Sequence, residues 1–111
     1  MEPINLSANS PAGLLFALAV LITATDGALA SEDLARKSGC LACHAIDRKV
    51  IGPAYRDIAA KYKGDAEAEA RLTEKLFKGS AGTWGEIFMP PVQTVPSGDI
   101  KVLVKWILSM K

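Results

Sequence analysis

Cys40, Leu41, Ala42, Cys43 and His44 stand together as Cys-x-x-Cys-His, in a chain with no other cysteine and no other histidine. This is the attachment pattern for a c-type haem. Two thiols three positions apart can each add across one vinyl group of the porphyrin. The residue that follows then brings an imidazole nitrogen to the iron. Its second ring nitrogen should donate to a backbone carbonyl, which fixes tautomer and ring plane, and the carbonyl of Pro53 is the acceptor expected here. Other uses of such a pair fit less well. A disulfide would close too small a loop to constrain the chain, and a thioredoxin-like pair belongs beside a βαβ unit that this sequence does not show. Zinc needs further Cys or His ligands.

The sixth iron ligand follows from counting. With His44 the only histidine, ligation by two histidines of this chain is excluded. Of the three methionines, Met1 lies in the leader discussed below and Met110 is one residue from the end. Met89 remains, followed by Pro90 and Pro91, which stiffen the backbone after it. The competing role for Met89 is that of a flexible core filler. An iron held by His and Met has no vacant position for substrate, and thioether sulfur favours the ferrous state. That implies carriage of one electron rather than catalysis. An enzyme or sensor in which Met89 leaves the iron is the alternative, although no distal His or Arg pair supports peroxidase chemistry.

The elements that must position these groups read as helices. Glu32 to Ser38 has acids in its first turn and Arg36 and Lys37 in its last, and Gly39 breaks it. A second helix opens at Gly52-Pro53, with proline at the first helical position and Tyr55, Ile58 and Tyr62 on one face. The third, Ala66 to Lys78, carries the pairs Glu67–Arg71 and Glu74–Lys78 with Leu72 and Leu76 inward. The last begins behind Pro96 with Ser97 as cap, and Ile100, Leu103, Val104, Ile107 and Leu108 form its apolar stripe. No alternating strand pattern is visible. Between the third and fourth helices, Gly79 to Val95 is a long loop of the kind that usually carries function.

Upstream, the apolar run Leu14–Ile22 is too short to cross a bilayer, which takes about 20 residues. It matches a signal-peptide h-region, and Ala28-Leu29-Ala30 supplies the small-x-small cleavage pattern. The segment before it has Glu2 and no Lys or Arg, so the basic n-region is missing. The reading is a cleaved leader, 1–30, and a mature domain, 31–111, with an uncleaved anchor as the other possibility. The mature part holds thirteen basic and ten acidic side chains, a net +3. That mild excess does not indicate nucleic acid. A domain this short buries a thin core and commonly needs a staple or cofactor.

Four blocks in order, GCLACHAID (39–47), VIGPAYRDIAAKY (50–62), GSAGTWGEIFMPP (79–91) and KWILSMK (105–111), resemble the small bacterial cytochromes c-551 and c-552, class I cytochromes c of denitrifying and ammonia-oxidising bacteria. The resemblance implies an all-α class I cytochrome c fold, four to five helices around one covalent haem c. It makes Met89 the distal ligand and Pro53 the acceptor for His44. It also assigns the indole N–H of Trp84 to a haem propionate. Lys75, where the family often has Arg, is a second propionate contact. Val92 stands where relatives often carry Asn, with Gln93 next to it. Implied partners are a cytochrome bc1-type donor and a nitrite reductase, terminal oxidase or cytochrome c peroxidase as acceptor. The expected setting is a periplasmic monomer, with no membrane insertion once the leader is cleaved. Arg36, Lys37, Arg48, Lys49 and Lys101 are docking candidates, their other reading being an ordinary solvated surface.

Overall fold

The computed structural model describes residues 25–111, so the apolar run Leu14–Ile22 lies outside the described residues. Four α-helices follow one another: α1 (Thr25–Lys37), α2 (Tyr55–Lys61), α3 (Ala68–Lys78) and α4 (Ser97–Leu108). A single 3₁₀ turn, Cys40–Ala42, follows α1, and a hairpin of β1 (Ser80–Gly82) and β2 (Gly85–Met89) follows α3. Each of the other helices packs on α4. Among the described residues no helix is long and apolar enough to cross a membrane.

The stripe on α4 is the centre of the core. Ile100, Leu103 and Val104 are fully buried and Ile107 nearly so, while Leu108 is half-buried at the end of the stripe. Tyr55 and Ile58 of α2 and Leu72 of α3 close against Ile100, Val104 and Ile107, and Leu76, Tyr62, Trp106 and Met110 pack around that cluster. Met110 is therefore a core side chain.

The helix starts differ from expectation, and each difference has a local cause. The second helix begins at Tyr55, because Ala54 is extended and Pro53 before it gives its carbonyl to the imidazole. Its first two N–H groups find carbonyls in the preceding loop, Tyr55 on Ala45 at 2.9 Å and Arg56 on Ile46 at 3.0 Å. These replace the side-chain cap that an isolated helix would need. The third helix begins at Ala68, since Asp65 folds residues 65–67 into a turn by accepting the Glu67 N–H at 2.9 Å. The same carboxylate takes Arg71, also at 2.9 Å, so the pair is Asp65–Arg71 and not Glu67–Arg71, whereas Glu74–Lys78 forms as expected. In α4 the carbonyl of Pro96 receives Asp99 and Ile100, so Ser97 lies inside the first turn and caps nothing. Finally, α1 starts at Thr25 rather than Glu32 and runs through Ala28-Leu29-Ala30.

The hairpin is the element that periodicity could not show. Its strands have three and five residues, and four of the five in β2 are exposed, so no alternation is written into them. It exists because Gly82 and Gly85 take φ of +88° and +110° on either side of Thr83-Trp84, a geometry other residues resist.

Ile100, wholly buried on α4, sets the first prediction. Ile100→Ala should lower the unfolding free energy of the haem-loaded protein by about 2–5 kcal/mol. Chemical denaturation followed by far-ultraviolet circular dichroism measures this, and a loss under about 1 kcal/mol would remove α4 from the centre of the core.

Candidate haem-attachment site

Gly39, at φ +80°, ends α1 and turns the chain into the 3₁₀ segment. Cys43 and His44 both donate their N–H to the carbonyl of Cys40, at 3.2 and 3.0 Å. In a 3₁₀ turn residues three apart eclipse one another, so the two cysteines share one side of the turn. Cys40 is half-buried and Cys43 exposed, and they are not joined to each other.

His44 is only 8% exposed. Its Nδ1 lies 2.7 Å from the carbonyl oxygen of Pro53. A carbonyl can only accept, so Nδ1 carries the ring proton and Nε2 keeps its lone pair. Among the described residues Nε2 has no hydrogen-bond partner, yet no buried side-chain nitrogen is left unpaired there, so Nε2 opens onto accessible space. The loop that holds the ring is closed by Ile51 and Gly52, whose N–H groups both reach the carbonyl of Cys43, at 3.1 and 2.7 Å. Gly52 lies flat on the imidazole. A Cβ there would meet His44 Cε1 at 2.5 Å, so any side chain would displace the ring.

Behind the imidazole, Tyr55 stacks on it with centroids 5.1 Å apart, and Trp106 meets Tyr55 edge-on at 5.6 Å. Burial pushes the Tyr55 phenol far up from its ordinary value, and the free Cys40 thiol beside it adds to the shift only until haem attachment makes it a thioether. Burial raises the Cys40 thiol as well. Neither Tyr55 nor Gly52 carried a chemical signal in the sequence, where Tyr55 read as core and Gly52 as a helix opener.

The other expected site residues lie on the hairpin and on α3. Met89 is half-buried at the end of β2, and Trp84 is exposed at the hairpin tip. Lys75 of α3 donates to Thr83 Oγ1 at 2.9 Å and reaches Tyr62 Oη at 3.4 Å, so it sits at the base of the same tip. Lys61 places its ammonium 5.4 Å from the centre of the Trp84 ring. The result is a group of donors, Tyr62, Lys75, Thr83 and Trp84, beside a second cation. Thr83 and Lys61 were not anticipated, and Tyr62 was read only as a core-facing residue. The contact between Tyr62 and Lys75 spans two helices and leaves no pattern in the chain. Among the described residues no cluster of three or more His, Cys, Asp or Glu side chains could hold a metal ion.

The sequence profile of the family described as Cytochrome c matches residues 28–111. The chain belongs to the cytochrome c family. It is 51% identical over 89 residues to cytochrome c-551 of Allochromatium vinosum, covering 80% of this chain and 95% of that one. With cytochrome c-551 of Pseudomonas aeruginosa it is 48% identical over 103 residues, 91% of this chain and 98% of the relative. The crystal structure of wild-type Nitrosomonas europaea cytochrome c552 superposes with a TM-score of 0.70 at 49% identity, over 72% of this chain and 99% of that one. The all-α class I fold is therefore shown, with the short hairpin added to it. As a cytochrome c, this protein is an electron carrier rather than an enzyme, and it binds one haem c through Cys40 and Cys43.

The residues present suit that group. Two unpaired thiols share one side of a turn, and the next side chain offers an oriented nitrogen lone pair. Exposed apolar side chains flank both ends of the site in sequence, Val50 and Ile51 after His44 and Ile87 and Phe88 before Met89.

Tyr55 yields a pH prediction. A raised phenol pKa means that the folded chain keeps a proton which the unfolded chain loses near pH 10. Its stabilisation is therefore complete below about pH 10 and declines above it. Between pH 8 and pH 11 the wild-type holoprotein should lose about 1 kcal/mol more unfolding free energy than Tyr55→Phe. Equal losses in urea titrations would contradict the assignment.

Proposed function

We propose that residues 31–111, freed from a leader of residues 1–30, shuttle single electrons in the periplasm on a haem whose iron is held by His44 and Met89. The observation that carries this reading is the 2.7 Å contact from His44 Nδ1 to the Pro53 carbonyl. It commits one nitrogen to the protein and leaves the other for iron. The bound haem supplies a reversible one-electron couple at that iron. Pro53 holds the imidazole in one tautomer and Gly52 and Tyr55 hold its plane, so the ligand geometry changes little as charge comes and goes. Met89 supplies the thioether that favours the reduced state. Trp84 and Lys75 donate to a propionate, where Thr83 and Tyr62 already steer the Lys75 ammonium.

The leader is supported by two comparisons. The match to the P. aeruginosa cytochrome spans 103 residues and so extends ahead of residue 31. The whole solved N. europaea chain is matched by 72% of this one, close to the share that residues 31–111 make up. Redox proteins are the partners of a cytochrome c. The specific ones proposed are a cytochrome bc1-type donor and a nitrite reductase, terminal oxidase or cytochrome c peroxidase acceptor, met by a monomer. Arg36 and Lys37 are held by Glu32 and Asp33 one turn earlier on α1. Arg48, Lys49 and Lys101 form no ion pair among the described residues and are the stronger docking cations.

The optical spectrum of the oxidised protein tests the ligand set. A weak long-wavelength sulfur-to-iron charge-transfer band is expected, and Met89→Ala should abolish it while the haem stays covalently attached. A native protein without the band, or a Met89→Ala variant that keeps it, would remove Met89 from the iron.

A further inference from the structure

We infer that the turn from the last residues of α3 into β1, residues 76–80, is the mount that positions Met89, with Gly79 and the backbone N–H of Val92, which docks on it, as the two positioning elements. The inference rests on the reading of Met89 as the sixth ligand. Three contacts converge on this one spot, on both sides of Met89.

Downstream, Pro90 and Pro91 have no N–H to donate, so Val92 is the first residue after Met89 that can tie the chain down. Its N–H donates to the carbonyl of Leu76 at 2.7 Å. Leu76 lies within the last four residues of α3, where carbonyls have no partner inside the helix, so one bond caps α3 and anchors the Met89 loop. Among the described backbone bonds outside helices and strands, no other joins residues 90–96 to an earlier element. Upstream, Ser80 pairs with Met89 across the hairpin. Gly79 takes φ +81°, and a Cβ there would meet the Met89 carbonyl oxygen and the Phe88 ring, each at 2.8 Å. Only glycine lets β2 close this tightly on the end of α3.

The anchor at position 92 is a main-chain group. The valine side chain is not needed for it, and the Met89 sulfur is aimed without help from a polar residue there. Residue 92 then acts through its N–H, and Gly79 through the absence of a side chain.

The test compares haem-loaded wild type with Val92→Pro, Val92→Ala, Gly79→Ala, Met89→Ala and Ile100→Ala. Two readouts apply: the sulfur-to-iron band, and the rate at which cyanide binds the ferric protein, which requires Met89 to leave the iron. Val92→Pro should weaken the band and speed cyanide binding about tenfold, the size that losing one backbone hydrogen bond allows, and Gly79→Ala should shift both in the same direction by forcing β2 away from the end of α3. Val92→Ala, which keeps the N–H, should behave as wild type. Ile100→Ala should lower global stability without matching that acceleration. If Val92→Pro does not accumulate as holoprotein, Gly79→Ala decides alone. Wild-type cyanide rates and an intact band in the positioning variants overturn the inference, as does equal acceleration in Ile100→Ala or in Val92→Ala. A band that survives Met89→Ala instead overturns the ligand reading beneath it, which the positioning variants alone could not do.

Discussion

The contact between His44 Nδ1 and the carbonyl of Pro53 organises the rest of the site. It determines which ring nitrogen carries a proton and so which one is left for a metal. It also explains why α2 starts late. Ala54 stays extended behind that carbonyl, and α2 then borrows Ala45 and Ile46 to satisfy its first N–H groups. The loop around the imidazole and the start of the helix are thus one hydrogen-bonded unit, and Gly52 is the point where backbone must lie against ring.

The protein core supports this unit from one side only. Ile100, Val104 and Ile107 on α4 hold Tyr55, and Tyr55 in turn backs the imidazole. Elsewhere the chain leaves apolar side chains exposed, among them Val50 and Ile51 in the loop after His44 and Ile87 and Phe88 on β2. A domain of this length buries a smaller fraction of its surface than a larger one, and a covalent apolar cofactor is one way to complete the core. Cofactor retention and folding would then be linked, because the haem held by Cys40 and Cys43 would supply apolar surface that so short a chain lacks.

Legibility in the sequence followed the physical range of each interaction. The α4 stripe, the i,i+4 pair Glu74–Lys78 and the Cys-x-x-Cys-His turn depend on spacing within one element, and all were readable. That a ligating imidazole needs an acceptor was readable from its chemistry, and the family resemblance singled out Pro53 as that acceptor. The helix boundaries were not, because Tyr55 and Ala68 are set by groups outside the helices, the Ala45 carbonyl and the Asp65 carboxylate. Nor was the hairpin, whose strands are too short and too exposed to alternate. The joining of Lys75 to Tyr62 and Thr83 depends on how α2, α3 and the hairpin meet, and no local pattern encodes that.

On the proposed ligation, one imidazole and one thioether of this chain hold the iron through the redox cycle. The proton spectrum of the reduced, diamagnetic protein tests it most directly. A methionine bound to iron lies in the shielding field of the porphyrin, so a three-proton methyl resonance far upfield, assigned to Met89, is expected, with the Met110 methyl near its usual position in the core. Finding the Met89 methyl at an ordinary shift in the folded, haem-loaded protein would contradict the account.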